Sequence, residues 1–561
     1  MIPRLGTRES IRSDVALFMQ ALVSSGFEGE IAGDEGTRAV LSTDNSIYQI
    51  WPQAAVFPKH HEDVVRVARV ASDFPEITLF PRGGGTGTNA QSLGSGVVVD
   101  TSRHMNEILE INIEERWARV QCGVVKDHLN AKIREHGLFF APDLSTSNRA
   151  TIGGMINTDA SGQGSCQYGK TRDHVIEMTS VLLTGESFHS RVLRDEDLDA
   201  LPPSSPEYRI GCELRRLHDT HVEAIEAGFP KLNRCLTGYD LQHVRRDASH
   251  IDLNAVLCGS EGTLGFVTEA KINLEPLPTE VSLVAVQYDS FMDALLDAQE
   301  LMTHGATSIE TVDSKVLNLA MRDFVWDSVA EYFPSGEKTL QGINLVEFTD
   351  FDAAALADKV DRFSRYLDGV AQAGGRSFAH TVARGRAQVN QIWAMRKRAV
   401  GLLGGVQSAK KPVAFVEDTC VPPENLAPFI GEFRALLDAH DLEYGMFGHV
   451  DAGVLHVRPA LDLKTPESMA MIRKITDEVV SLTHKYHGLL WGEHGKGVRS
   501  EYAPIFFGDL YPVICQVKSL FDPENRLNPG KIAGPTPDTP LLKIDEVPTR
   551  GARDRVITPE L

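Results

Sequence analysis

The sequence is poor in positive charge and has no long apolar run. It contains 56 lysines and arginines against 77 aspartates and glutamates, giving a formal net charge of -21. Because phosphate binding requires a basic face, this balance argues against a nucleic-acid partner. A membrane-spanning helix needs about 18 consecutive apolar residues, so no transmembrane segment is predicted. The N-terminus also lacks the apolar core of a secretory signal.

Cysteine is also scarce, and the sequence contains no CxxC pair. The wide spacing excludes a dense disulfide framework and a local iron–sulfur or zinc-ribbon motif. Scattered reduced thiols fit the cytoplasm, so a cytoplasmic protein is expected, with peripheral attachment to the inner membrane left open. The seven cysteines are Cys122, Cys166, Cys212, Cys235, Cys258, Cys420 and Cys515.

The length of 561 residues exceeds what one hydrophobic core usually spans, which favours several domains. Apolar spacing predicts a helix over 8–30, a strand–helix–strand unit from 47, and a β-hairpin over 174–190. From about 281 the pattern favours an α+β domain with its helices on one face of a sheet. The predicted parts are an N-terminal helical segment (1–46), a first domain (47–280), a cap (281–488), a C-terminal return (489–533) and a linker or tail (534–561).

The first informative motif is the glycine-rich turn PRGGGTGTN at 81–89. Successive glycines let backbone N–H groups approach a diphosphate without a Cβ clash, and such nests bind anions. The spacing matches neither a Walker A loop nor a Rossmann fingerprint, and on its own such a turn is more often only a turn. The candidate cofactor-binding residues here are Arg82, Gly83, Gly84, Gly85, Thr86, Gly87 and Asn89.

Small residues also dominate the segments 141–145, 150–162, 259–268 and 527–531. A flat ring system with a diphosphate requires this kind of close backbone approach. The candidate cofactor-binding residues in these segments are Pro142, Asp143, Thr151, Ile152, Gly153, Gly154, Thr158, Ala160, Gly162, Gly265, Val267 and Asn528.

In this order, the turn and these segments resemble the FAD-binding domain of the vanillyl-alcohol-oxidase (p-cresol methylhydroxylase-type) flavoproteins, over 48–280 and 520–533. The resemblance implies an α+β fold: an FAD-binding domain of the p-cresol methylhydroxylase (PCMH) type with two α/β subdomains, an α+β substrate cap and a C-terminal helical segment. It further implies that the turn cradles the FAD diphosphate and that 151–162 line the isoalloxazine. Some members attach FAD through a histidine in the turn. Thr86 stands in this turn and no histidine does, so noncovalent FAD is expected, and a thioether to Cys166 is the less favoured alternative.

Two histidine motifs indicate a metal site. His449 and His456 are seven residues apart, and the intervening Asp451–Gly453 can turn the chain so that both imidazoles meet. Glu493 and His494 follow in GEHGKG. A lone histidine is usually a satisfied core residue, but two histidines and a glutamate match a catalytic zinc site with open positions.

The segment from 281 to 533 resembles the D-2-hydroxyglutarate and D-lactate dehydrogenases of the same flavoprotein family. The resemblance implies a divalent metal, with zinc as the first choice, on His449, His456 and Glu493, and a catalytic base at His494. The usual form GHxGDGNxH reads GHVDAGVLH in this chain. The ligands are kept but their polar neighbours are not, which leaves the identity of the substrate open.

Two arginines are candidates for binding a substrate carboxylate. Arg396 matches a carboxylate-binding arginine of the family, and Arg458 lies two residues after His456, on the same face of an extended strand. The alternative for each is a surface salt bridge. Lys410 and Lys411 are expected to be a solvated pair, and Lys496 is a weaker candidate.

The expected function is oxidation of an anionic 2-hydroxy acid, with D-2-hydroxyglutarate ahead of D-lactate or glycolate. An FAD-holding electron-transfer subunit without turnover and a direct oxidase are kept as alternatives. Within the family, the likeness is to long bacterial enzymes that join a flavin half to a cysteine-rich iron–sulfur half. The expected partner is therefore an iron–sulfur domain or subunit, and homo-oligomerisation is left open.

Overall fold

The computed structural model describes residues 10–550 except 237, 335–337 and 405–408. The chain up to residue 276 forms two sheets, a small two-stranded ribbon and the helices around them. The strands are β1 (Glu30–Ala32), β2 (Ala54–Phe57), β3 (Leu79–Arg82), β4 (Val97–Asp100), β5 (Ile108–Asn112), β6 (Trp117–Gln121), β7 (Leu138–Phe139), β8 (Val175–Val181), β9 (Ser187–Arg194), β10 (Arg245–Asp247), β11 (His250–Asp252), β12 (Phe266–Asn273) and β13 (Glu275–Pro276). The helices are α1 (Ser13–Ser24), α2 (Glu35–Leu41), α3 (His61–Ser72), α4 (Lys126–Ile133), α5 (Ile152–Asn157), α6 (Ser165–Tyr168), α7 (Thr171–His174), α8 (Asp195–Asp199), α9 (Pro206–Thr220) and α10 (Val222–Gly228).

The first sheet has the strand order β1-β2-β4-β3, and β2, β4 and β3 run parallel. Helix α3 makes the crossover from β2 to β3, as a parallel pair requires. Every residue of β2 and β4 is buried, which explains their continuous apolar sequence. The predicted strand–helix–strand unit is confirmed, and the glycine turn follows the carboxyl end of β3.

The second sheet is antiparallel, with the order β10-β11-β9-β8-β12-β6-β5. The predicted hairpin is its β8–β9 pair, which turns at Gly185 with φ of 78°. Helix α1 is shorter than the predicted 8–30, because Gly26 follows it with φ of 82° and ends the helical path. Residues 8 and 9 lie outside the described residues.

The cap has its own antiparallel sheet, with the order β17-β14-β16-β15-β20-β21-β18 and β19 paired to β21. Its strands are β14 (Glu280–Tyr288), β15 (Ser308–Asp313), β16 (Gly342–Asp350), β17 (Ser377–Arg384), β18 (Lys411–Pro412), β19 (Thr419–Cys420), β20 (Tyr444–His449) and β21 (Val454–Leu461). The remaining helices are α11 (Phe291–Met302), α12 (Ser314–Met321), α13 (Ala353–Gln372), α14 (Gly385–Gly404), α15 (Leu426–Ala439), α16 (Pro466–Lys485), α17 (Ala503–Phe507) and α18 (Tyr511–Phe521).

Helices cover both faces of the cap sheet, so the prediction of helices on one face is wrong. Leu283 and Leu345 pack with α12 and α14, whereas Val284 and Val346 pack with α11, α13 and α15 on the opposite face. Successive strand residues point to opposite faces, and β14 is buried on both, so both faces need cover.

The end of the described chain returns to the first domain. Leu527 forms a bridge with Leu79, and Thr549 forms one with Tyr48. Ile544 and Val547 are buried. Residues 534–550 therefore pack against the protein instead of forming the predicted linker, because these apolar side chains find a surface to bury. Residues 551–561 of that prediction lie outside the described residues. No described helix is both long and apolar enough to cross a membrane.

Candidate active site

A cavity of about 1000 Å³ lies between the first domain and the cap. Ligand and cofactor sites commonly enclose roughly 300–1000 Å³, so this cavity has room for a large cofactor and a small substrate. The predicted cofactor residues that line it are Arg82, Gly83, Gly84, Gly85, Thr86, Gly87, Asp143, Thr151, Gly153, Gly154, Thr158, Ala160, Gly162, Gly265 and Val267.

The glycine turn presents free hydrogen-bond donors to this cavity. The backbone N–H groups of 83–88 donate no hydrogen bond to any residue in the described part of the chain. The hydroxyls of Thr88 and Ser161 also line the cavity and are buried with no partner among the described residues. Buried polar groups almost always have hydrogen-bond partners, so these two hydroxyls favour an external acceptor. The N–H groups of 83–87 are partly exposed and are free to bind the same acceptor. The turn therefore fits the diphosphate of a dinucleotide such as FAD.

Gly153 and Gly162, which also line the cavity, allow backbone segments to pack closely. A Cβ at Gly162 would lie 2.0 Å from Asp143 O, and a Cβ at Gly153 would lie 2.6 Å from the Cβ of Cys122. Helix α5 begins here, capped by the Thr151 hydroxyl, which accepts from the N–H of Gly154 at 3.2 Å. These contacts bring the backbone to the cavity surface, where a planar ring can lie against it.

Four of the predicted cofactor residues do not line the cavity: Asn89, Pro142, Ile152 and Asn528. Ile152 is fully buried in the core. Asn89 Nδ2 donates to Gly495 O at 2.9 Å, and Asn528 Nδ2 donates to Gln91 O at 3.0 Å. These two amides bind backbone carbonyls of neighbouring loops, a role that motif spacing alone does not reveal.

The β20–β21 hairpin brings His449 and His456 together, through the turn predicted at Asp451–Gly453. A turn of 3-10 helix over Val450–Ala452 and Gly453, with φ of 71°, reverse the chain. A Cβ at Gly453 would lie 2.0 Å from Val421 O, so glycine is required there for space as well. The two imidazole centroids are 5.4 Å apart.

Three imidazoles surround one carboxylate oxygen. Glu493 Oε1 lies 3.2 Å from His449 Nε2, 3.1 Å from His456 Nε2 and 3.5 Å from His494 Nε2. On their outer side, Glu310 binds His449 Nδ1, and Glu417 Oε1 lies 3.1 Å from His494 Nδ1.

A histidine that binds a metal usually donates its other ring N–H to a carboxylate, and His449 has this arrangement with Glu310. Ligand atoms of Asp418, His456, Glu493 and His494 all lie within 4.8 Å of one another. The predicted ligand His449 is not in this group, but its Nε2 lies 3.2 Å from Glu493 Oε1. This nitrogen and oxygen donor set fits a divalent ion such as zinc.

The charges of the site differ from one histidine to the next. Burial lowers the pKa of His456 to about 4, so its ring is neutral, as a metal ligand must be. Burial also disfavours charge on His494, but Asp418 and Glu417 outweigh it and raise that pKa to about 9. Burial acts against the Glu493 carboxylate, yet His449 and Arg234 hold its pKa well below the usual value.

The backbone of the loop Glu493–Gly497 is held by side chains from both domains. The Asp418 carboxylate accepts from the N–H groups of Glu493 and His494, both at 2.8 Å. From the first domain, Asn89 and Gln91 donate to Gly495 O and His494 O, and Glu261 accepts from the N–H groups of Lys496 and Gly497. The candidate base and ligand are thus fixed by contacts that join the glycine turn to the cap.

Sequence reasoning missed the buried charged groups that hold the site: Arg234, Glu261, Glu310, Glu417 and Asp418. Glu310 and Glu417 are each 1% exposed. The available signal was an acidic residue inside an apolar strand pattern, as in SIETVD and VAFVEDTC. A buried charge requires a partner, so such residues mark polar sites.

Both predicted substrate arginines line the cavity, and each is paired with a buried glutamate. Arg396 binds Glu310, and Arg458 Nε donates to Glu417 Oε2 at 2.6 Å. The two guanidinium carbons lie 5.5 and 5.3 Å from the ring centroid of Phe447. The structure therefore brings both arginines to the same wall as the histidines.

The three candidate lysines, Lys410, Lys411 and Lys496, are not among the cavity-lining residues. Lys410 and Lys411 are exposed. Lys496 is fully buried, and its ammonium lies 4.5 Å from the ring centroids of both Trp491 and Phe507.

Comparison with known proteins agrees with this geometry. Residues 52–191 match the family described as "FAD binding domain", and residues 277–532 match "FAD linked oxidases, C-terminal domain". The chain is 58% identical over 548 residues to a D-2-hydroxyglutarate dehydrogenase of Pseudomonas putida, covering 96% of this chain and 54% of that protein. It is 51% identical over 565 residues to the Escherichia coli protein of the same name, covering 99% and 55%.

The chain thus spans about half the length of the curated relatives that it matches. Among solved structures, p-cresol methylhydroxylase with substrate bound has a TM-score of 0.65 at 13% identity, covering 94% of this chain and 98% of that one. This likeness confirms the predicted PCMH-type fold.

Proposed function

Because the chain belongs to the FAD-linked D-2-hydroxyglutarate dehydrogenase family, we propose that it oxidises a D-2-hydroxy acid to the 2-oxo acid, with D-2-hydroxyglutarate as the first substrate. The observation that carries the proposal is the convergence of three imidazoles and a glutamate on a cavity that also holds two arginines. When bound, FAD supplies a hydride acceptor and a divalent ion supplies a Lewis acid. The proposed electron acceptor is an iron–sulfur domain or subunit.

Each polar residue of the wall has a proposed role. His449, His456 and Glu493 would hold the divalent ion, and zinc suits their nitrogen and oxygen donors, as manganese, cobalt or iron also can. His494 is the base: its side chain is 25% exposed and lines the cavity, whereas His449 and His456 are nearly sealed. Glu417 beside Nδ1 would orient the ring so that Nε2 of His494 takes the proton of the substrate hydroxyl. Asp418 and Glu417 raise the pKa of His494 to about 9 when no ion is bound, and the positive charge of a bound divalent ion would oppose this and leave Nε2 free to accept the proton.

One observation favours a smaller substrate as the second candidate. The Arg396–Glu310 and Arg458–Glu417 pairs are each neutral overall. A second carboxylate would have to share a cation with a buried glutamate, whereas a monoacid such as D-lactate or glycolate requires only one carboxylate contact. Comparing turnover of the two acid classes separates these candidates.

Arg396→Ala and Arg458→Ala test the substrate. Charge-assisted hydrogen bonds are worth roughly 1.5–3 kcal/mol, so each change is expected to lower kcat/KM for D-2-hydroxyglutarate by about 10- to 150-fold. The arginine that serves the distal carboxylate should affect D-lactate much less. The measurement is steady-state turnover of both acids with an artificial electron acceptor.

Arg398→Ala is the matched control, since Arg398 lies on the same helix but pairs with Asp323 and does not line the cavity. Equal losses on both acids would assign that arginine to the shared C1 carboxylate. Faster turnover of D-lactate than of D-2-hydroxyglutarate by the unmodified protein would contradict the diacid. If the protein turns over no 2-hydroxy acid, the alternative of an FAD-holding electron-transfer subunit remains.

FAD is expected to be bound noncovalently. The glycine turn has no histidine, and Cys166 is not among the residues that line the cavity. Acid precipitation of the yellow protein should therefore release all flavin into the supernatant, as measured by absorbance and fluorescence. Flavin that stays with the pellet would contradict this, and its release from Cys166→Ser protein would then identify the attachment point.

A further inference from the structure

Arg234 is a fully buried cation that touches the first domain and the candidate metal site at once. It lies in the segment between α10 and β10, with 0% of its side chain exposed. Its guanidinium donates to the backbone carbonyl of Gly162, which lines the cavity, and to the hydroxyl of Ser165 three residues later. A third contact is an ion pair, Nη1 to Glu493 Oε2 at 2.7 Å.

The two carboxylate oxygens of Glu493 have different partners. Oε2 is held by Arg234, while Oε1 faces the Nε2 atoms of His449, His456 and His494. The terminal torsion of a glutamate is soft and roughly two-fold, so the carboxylate alone does not choose which oxygen it presents. The Arg234 guanidinium, held by Gly162 and Ser165, binds Oε2 and so leaves Oε1 facing the histidines.

We propose that Arg234 is a positioning residue that restricts Glu493 to binding the metal through Oε1 alone and fixes that oxygen relative to the flavin-lining segment. This inference rests on the metal site of the proposed function. Replacing both partners of a buried ion pair with apolar residues is often neutral for stability, so stability alone gives no reason for the pair, although removal of Arg234 alone would leave Glu493 buried and unpaired. Residues that orient a metal ligand commonly change metal affinity about 10- to 100-fold when they are replaced.

Arg234→Gln and Arg234→Lys test the role by a readout independent of turnover. Zinc affinity of the FAD-loaded protein is measured by competition with a chromogenic chelator, together with FAD content and Tm. Arg234→Gln is expected to weaken zinc binding by about 10- to 100-fold with FAD still stoichiometric. Arg234→Lys should weaken it less, because one ammonium can hold Oε2 but cannot keep the fork to Gly162 and Ser165.

Arg526→Gln is the matched control. Arg526 is also buried, at 6% exposure, but its partners are the backbone carbonyls of Ile77, Ala71 and Phe74 and the exposed Glu524. This variant should lose Tm while binding zinc like the unmodified protein. If Arg234→Gln does not fold, the weakened affinity of Arg234→Lys carries the test.

Coordination itself gives a second readout. In cobalt-loaded protein, a Glu493 freed to bind through both oxygens raises the coordination number, which lowers the visible d–d absorption of Arg234→Gln. Zinc affinity of Arg234→Gln equal to or higher than that of the unmodified protein would overturn the proposal while leaving the metal site in place. Failure of the unmodified protein to bind zinc, manganese or cobalt would overturn the role of Arg234 and the proposed metal site together.

Discussion

Replacing His494 with glutamine is expected to lower kcat by about 10²–10⁴-fold, the usual contribution of a positioned base. Glutamine has similar bulk but cannot accept the hydroxyl proton. Its backbone N–H can still bind Asp418, so the loop Glu493–Gly497 should keep its shape. The measurement is steady-state turnover of D-2-hydroxyglutarate, with anaerobic flavin bleaching to isolate the chemical step.

His484→Gln is the control for this change, because His484 is exposed on α16 and does not line the cavity. FAD content and metal content of His494→Gln should equal those of the unmodified protein. A loss of less than about tenfold would be too small for a base and would assign the proton to another group.

Removal of the proposed divalent ion is the second change with a large expected effect. Lewis-acid stabilisation is worth several kcal/mol, so dialysis against a chelator, or His456→Ala, should lower turnover by about 10³-fold or more. FAD should remain bound, since its predicted binding residues in 82–87 and 151–162 do not include the three histidines. Metal analysis, flavin absorbance and recovery of turnover on adding zinc, manganese or cobalt are the measurements.

His440→Ala serves as the control, because His440 forms a comparable contact with Glu478, at 3.0 Å, but neither residue lines the cavity. It should leave metal content and turnover unchanged. Active protein without a stoichiometric divalent ion would rule out the metal site.

Local chemistry made part of the site predictable from the sequence. The glycines of 83–87 and the spacing of His449 and His456 depend on turn geometry, which neighbouring residues determine. The same holds for the β8–β9 hairpin, where Gly185 takes a positive φ. Each of these predictions needed only a few consecutive residues.

The remaining contacts depend on the folded chain. Glu310 reaches His449 from a strand 139 residues away, and Arg234 reaches Glu493 across 259 residues. No motif spacing encodes such pairs. For the same reason the sequence does not settle the partner of Asn89. An amide beside a glycine turn can face the ligand or a neighbouring carbonyl, and only the packing of Gly495 against it decides.

The hydrogen bonds that Asn89 and Gln91 donate to the loop Glu493–Gly497 have a thermodynamic consequence. The glycine turn, which would face the FAD diphosphate, continues directly into these two amides, which donate to the carbonyls of His494 and Gly495. Flavin would order the turn and an ion would order the loop, and the same hydrogen bonds connect the two segments. Linkage makes such coupling reciprocal: the factor by which bound flavin tightens the ion is the factor by which the ion tightens flavin. Protein purified without flavin is therefore expected to bind a divalent ion more weakly than the FAD-loaded protein.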